Sequence, residues 1–150
     1  MRAVVQRVTK ASIEVEGKSV SSIDKGLCCL VGIEKDDSLE DMNYIAKKIY
    51  GLRIFDDKSG LMNLNITQVG AEILLISQFT LLGDARKGRR PSYTQAEDPN
   101  KAKDIFDALV RKMESMLPER VKTGKFQTMM NVALINHGPV TILLDSRRLF

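Results

Sequence analysis

The sequence predicts an α+β fold, a mostly antiparallel, barrel-like sheet carrying two main helices. Three observations predict it. Strand-like runs cluster at both ends of the 150 residues, only two stretches carry a helical period, and strand and helix do not alternate regularly enough for a doubly wound sheet. Short, twisted antiparallel strands lose their exposed edges by closing on themselves, which points to a barrel-like sheet.

Each element has a local reason. Residues 2–8 read as a first strand, and residues 11–15 alternate apolar and polar, so one face is wet. Glu16-Gly17 turns the chain into a strand over 18–23, and Asp24-Lys25-Gly26 turns it again. Residues 27–33 are apolar on both faces, as a central strand requires. Ser38 is an N-cap, with Asp41 completing an imperfect capping box. Leu39, Met42, Ile45, Ala46 and Ile49 follow at helical spacing to about Tyr50, and Gly51 ends the helix. Residues 53–55 form a short strand, and residues 61–70 read as loop. Residues 72–78 form a buried strand. Asp98-Pro99 starts the second helix, whose stripe of Ala102, Ile105, Phe106, Leu109, Val110, Met113 and Met116 stops at Pro118. Two last strands, about 128–136 and 140–145, flank Gly138-Pro139, which reads as a tight connection between them.

Composition narrows the function. The hydrophobic share of 43% builds a core, and 150 residues make one domain spanning 1–150. A net charge of +4 is compatible with an anionic partner without requiring one. No signal segment is recognisable and the longest apolar stretch is too short for a bilayer, so a cytoplasmic protein with no membrane partner is expected. Cys28 and Cys29 are adjacent and face opposite sides of a strand, and with one histidine they offer no ligand spacing. No metal and no cofactor are expected.

Three segments can carry chemistry. Ser77-Gln78-Phe79-Thr80 ends an apolar strand. If extended, it turns Ser77 and Phe79 one way, Gln78 and Thr80 the other. Nucleophilic use of Thr80 needs an activating base, and His137 is the only histidine. Asn136-His137-Gly138-Pro139-Val140-Thr141 combines a permissive glycine with a rigid proline. Arg86, Lys87, Arg89 and Arg90 form a basic loop that can reach phosphates, with Tyr93 nearby to stack or to pack.

Read together and in order, these segments resemble the D-aminoacyl-tRNA deacylase family, also called D-tyrosyl-tRNA deacylases. The resemblance runs from Arg2-Ala3-Val4-Val5-Gln6-Arg7-Val8 through Gly51-Leu52-Arg53-Ile54-Phe55 and Met62-Asn63-Leu64. It continues through Ser77 to Leu81, Arg86 to Ser92, Thr123-Gly124-Lys125-Phe126 and Asn136 to Thr141. Lys125 stands where arginine is common in that family.

The resemblance implies a symmetric homodimer that hydrolyses the ester of D-aminoacyl-tRNA at its 3′ end. It implies a cis Gly138-Pro139 that enters the partner's pocket beside Ser77, Gln78, Phe79 and Thr80. Arg7, Asn136, Val140 and Thr141 would support that tip, and the basic loop would meet tRNA phosphates. A main-chain obstacle excludes every L side chain alike, and glycine, having none, leaks in. Two mechanisms are open: Thr80 as nucleophile, or water attack assisted by the ribose 2′-hydroxyl, with N–H groups of residues 78–80 holding the oxyanion. The second is favoured because no base for Thr80 is visible. The rivals are a non-catalytic nucleic-acid-binding module and a small-ester hydrolase.

Overall fold

A computed structural model describes residues 1–149. In chain order it contains β1 (Arg2–Val15), β2 (Lys18–Ile23), β3 (Gly26–Gly32), α1 (Leu39–Gly51), β4 (Phe55–Asp56), β5 (Met62–Leu64) and β6 (Glu72–Ser77). A 3-10 turn (Phe79–Leu82), α2 (Pro99–Met116), β7 (Val121–Thr123) and β8 (Asn131–Asp145) follow.

The first two runs of the sequence are one long strand. β1 pairs with β3 through residues 2–8, with β2 through residues 11–15, and with β8 along its opposite edge, antiparallel in every case. β3 pairs parallel with β6, and β6 parallel with β7, the connections passing through α1 and α2. The Ser21 hydroxyl of β2 donates to the Thr123 carbonyl of β7 at 2.8 Å, so the sheet curls almost closed. This is the barrel-like α+β architecture that the patterning predicts.

Side-chain alternation builds two cores. Leu27, Cys29 and Val31 of β3 and Ile73 and Leu75 of β6 face the helices, while Cys28, Leu74 and Ile76 face the barrel interior. Strands buried on both faces carry no polar alternation, which is why these two read as continuous apolar runs. Cys28 and Cys29 are free and buried. Desolvation pushes the Cys28 thiol up to about 11 and Cys29 well above its ordinary value, so neither is a ready nucleophile.

Both helices start as their caps dictate. The Ser38 hydroxyl accepts from the Glu40 and Asp41 N–H groups, and the Asp41 carboxylate accepts from the Ser38 N–H at 2.9 Å. Met42, Ile45, Ala46 and Ile49 are buried. Gly51 is the last helical residue, and the Leu52 N–H closes the end on the Lys48 carbonyl. Asp98 caps α2 by accepting from the Asn100 N–H at 2.9 Å, with Pro99 in the first turn. Ile105, Phe106, Leu109 and Met113 turn inward. No described helix is long and apolar enough to cross a membrane.

Four expectations are corrected. The short strand expected over 53–55 is instead β4, at Phe55–Asp56. Residues 62–64, read as loop, form β5, which pairs with β4. Residues 128–130 lie outside any strand. Gly138-Pro139 does not join two strands: β8 runs through it, antiparallel to β1 on both sides. Asn136 faces Val8 and Thr141 faces Gln6, so His137 to Val140 stand against Arg7 alone. The tip is therefore a four-residue bulge, a device that re-aims a strand locally without ending its pairing.

Candidate functional site

β6 ends at Ser77, and its last apolar residues bury against both cores. The Gln78 N–H continues the ladder, donating to the Val31 carbonyl at 2.8 Å. The chain then tightens into the 3-10 turn, so strand alternation does not extend past Gln78. The Gln78 side-chain amide instead donates to the Thr80 hydroxyl, which places both on one side. Because the Gln78 N–H is engaged, it cannot join an oxyanion site. The Phe79 and Thr80 N–H groups have no acceptor among the described residues. Unpaired donors at the start of a helical turn attract developing negative charge.

These residues line a cleft of about 710 Å³. Its other walls are Ile33, the entrance to α2 at Ala96, Glu97, Pro99 and Ala102, and the segment from Phe126 to Met130 with Val132. Glu97 is the one carboxylate in this lining. Its hydrogen bond from Lys101, at 2.5 Å, holds it below the usual carboxylate range, so it is ionised and already occupied. No general base touches Thr80 or Ser77 among the described residues. Phe79 is 57% exposed and meets the edge of Tyr93 at 5.2 Å between ring centres, so Tyr93 packs against the site.

The tip sits elsewhere. None of residues 136–141 lines the cleft of its own chain. The Gly138-Pro139 peptide bond is cis, and both residues are exposed. Arg7, only 6% exposed, fixes the approach. Its guanidinium donates to the His137 carbonyl at 2.9 Å, the Ile54 carbonyl at 2.8 Å and the Asp56 carboxylate at 3.0 Å. Asn136 closes the neck of the bulge: its amide donates to the Val140 carbonyl at 3.1 Å and to the Thr141 hydroxyl at 3.2 Å, and accepts from the Val140 N–H at 2.8 Å.

The basic loop follows the 3-10 turn. Its base is pinched by paired backbone bonds between Asp84 and Ser92, at 2.8 and 2.9 Å. Arg86 is engaged by Asp84 at 2.6 and 2.9 Å, which drives the Asp84 carboxyl well below its usual range. Lys87, Arg89 and Arg90 are exposed, with no ion pair among the described residues.

Sequence reasoning missed most of the cleft walls. Ala96, Glu97 and Ala102 carry no motif of their own. Met129, 91% exposed, hid inside an expected strand. The visible signal was the run Thr123 to Phe126.

Known proteins resemble this chain along nearly its whole length. Residues 4–145 match the family described as D-Tyr-tRNA(Tyr) deacylase. Proteins named D-aminoacyl-tRNA deacylase are similar over 100% of both chains: 55% identical in Kosmotoga olearia and 51% in Thermosipho africanus. A solved structure titled "c-Myc DNA Unwinding Element Binding Protein" superposes with a TM-score of 0.93 at 38% identity, covering 97% of this chain and 98% of that one. A probable eukaryotic D-amino acid tRNA deacylase superposes at 0.79 with 16% identity over 95% and 97%, a likeness of fold. With residues 4–145 matched by the family and relatives more than half identical over the full length, the chain belongs to the D-Tyr-tRNA(Tyr) deacylase family.

Proposed function

We propose that this protein hydrolyses the ester joining a D-amino acid, D-tyrosine among others, to the 3′ end of tRNA, releasing free amino acid and tRNA. Residues 1–150 act as one deacylase domain, without metal or cofactor, in the cytoplasm. Two buried free cysteines fit a reducing compartment. The role is chirality proofreading in translation.

One observation carries the reading: the cleft lacks the tip and the tip lacks a cleft within one chain. A symmetric dimer resolves this if each Gly138-Pro139 enters the partner's cleft beside Ser77 to Thr80. The unpaired outer edge of β8 supports such an assembly. Val132, Ile135 and Leu143 are 37, 60 and 57% exposed along it, and a long apolar edge strand is a liability unless covered.

In the cleft, the ester carbonyl lies over the Phe79 and Thr80 N–H groups. Water attacks the carbonyl carbon, the N–H pair stabilises the oxyanion, and the ribose oxygen leaves with the proton that water gives up. The terminal 2′-hydroxyl assists this transfer, because Thr80 has no base. Main-chain atoms of the tip occupy the space an L side chain would need, so rejection does not depend on side-chain identity. Arg7 and Asn136 hold the obstacle still, with Val140 and Thr141 as its anchors. Glycine escapes the filter, so glycine mischarged on tRNA(Ala) is also hydrolysed. Lys87, Arg89 and Arg90, with Arg86 where Asp84 releases it, meet acceptor-stem phosphates.

Release from D-tyrosyl-, L-tyrosyl- and glycyl-tRNA tests the reading. The D and glycyl esters should be cleaved and the L ester spared. No release from any would favour a nucleic-acid-binding module, the role that one solved relative's title names for that protein. Equal release of D and L would favour a general ester hydrolase.

A further inference from the structure

A second basic surface lies away from the cleft. Lys47 and Lys48 of α1, Arg53 just beyond it and Arg148 near the C-terminal end line a groove of about 510 Å³ together with Tyr44, Gly51 and Leu52. All four cations are exposed. Among the described residues none of them is within ion-pair distance of a carboxylate. Lys48 and Arg148 both rest on the Tyr44 ring, at 5.5 and 5.4 Å from its centre. Arg53 is held by Asn63, through its carbonyl at 2.7 Å and its side-chain amide.

This arrangement is more than a solvated helix face. One lysine in the last turn of α1 complements the helix dipole, but four cations lining one groove without a carboxylate among the described residues repel each other. An anion relieves that repulsion, and a row of cations with an aromatic floor suits a chain of phosphates better than a single one. The groove is also tied to the tip. Arg53 precedes Ile54, whose carbonyl binds Arg7, and Arg7 binds His137 next to Gly138.

We infer that the groove formed by Tyr44, Lys47, Lys48, Arg53 and Arg148 binds the phosphate backbone of RNA. This rests on the dimeric deacylase reading for its geometry. If each tip enters the partner's cleft, the contacts from Ile54 through Arg7 to His137 carry the groove toward that cleft. One tRNA is then held by the basic loop of the subunit that cleaves it and by the groove of the subunit that supplies the tip.

The test is the affinity of uncharged tRNA across a salt series for the full-length protein. A Lys47→Glu/Lys48→Glu variant should bind roughly tenfold or more weakly, with a visibly shallower salt slope, because phosphate contacts are lost. An Arg111→Glu/Lys112→Glu variant makes the same change in net charge on the exposed face of α2 and should change binding little. Thermal melting checks folding, and Lys47→Gln/Lys48→Gln gives a milder version of the loss should the reversal unfold. Equal losses in the two reversal variants would reduce the effect to net charge and overturn the proposal. An unchanged slope and affinity in the α1 variants would overturn it too. Binding of uncharged tRNA needs no ester cleavage, so failure here is distinguishable from failure of the deacylase reading, which shows as no release by the wild type.

Discussion

Phe79 opens the 3-10 turn, and its N–H, like that of Thr80, has no acceptor among the described residues. If main-chain donors do the work, deleting that donor should matter and deleting the Thr80 hydroxyl should not. Thr80→Val should keep D-tyrosyl-tRNA deacylation within about tenfold, while Phe79→Pro should lose about 10²–10³ in kcat relative to Phe79→Ala. Both Phe79 variants lack the ring, so single-turnover rates of the pair isolate the N–H. Proline suits the first position of a helical turn, which limits collateral damage. Gly138 is the second residue with a sharp consequence. Its φ is +135°, and an added Cβ would lie 2.6 Å from the Val140 side chain and 3.0 Å from the Val140 nitrogen. Gly138→Ala should therefore shift the tip and cut the D-over-L ratio of kcat/KM by tenfold or more, about 1.4 kcal/mol in discrimination. At this scale the sequence was informative where chemistry is unusual. A glycine before proline and an uncoupled threonine could be read directly. The commitment of the Gln78 N–H to Val31, and of Arg86 to Asp84, could not, because both depend on neighbours brought in by folding.

α1 shows the same contrast for a whole element. Its start was legible in Ser38 and Asp41, since a capping box is a local device. Ser38→Ala should destabilise the fold by about 1 kcal/mol, measured by urea melts. Burial alone would raise the Asp41 carboxyl, but hydrogen bonds from Ser38 and Ser146, with the nearby chain ammonium, outweigh it and hold the group at about 2. The ordinary value is 3.8, so the folded state favours the ionised form. Its contribution is therefore complete above about pH 4 and is lost as pH falls through about 2. Urea melts of wild type and Asp41→Asn should differ most near neutrality and converge across that acid window. A constant difference would mean that Asp41 acts by packing. The strands were less legible. β7 has three half-buried residues with a lysine in the middle, too short for any period to show. β8 was split because Gly-Pro is ordinarily a turn signal. Only the pairing of β1 with both halves reveals a bulge inside one strand.

For the whole molecule, the fold class was readable because strand and helix patterns are properties of segments. The candidate site was readable only in pieces. Its cleft walls converge from β6, α2 and the 126–130 segment, and its tip is absent from that lining. In the proposed dimer, each subunit exchanges tips with its partner, which supplies the main chain that rejects L residues. Mixing tests this directly. Phe79→Pro subunits keep an intact tip with a crippled cleft, and Gly138→Ala subunits keep an intact cleft with a displaced tip. In an equal, randomly exchanged mixture roughly one site in four should pair an intact cleft with an intact tip. D-tyrosyl-tRNA deacylation should then match the average of the two separate variants, while L-ester cleavage falls to roughly half of that average. L-ester cleavage equal to the simple average of the two separate variants would contradict the exchange.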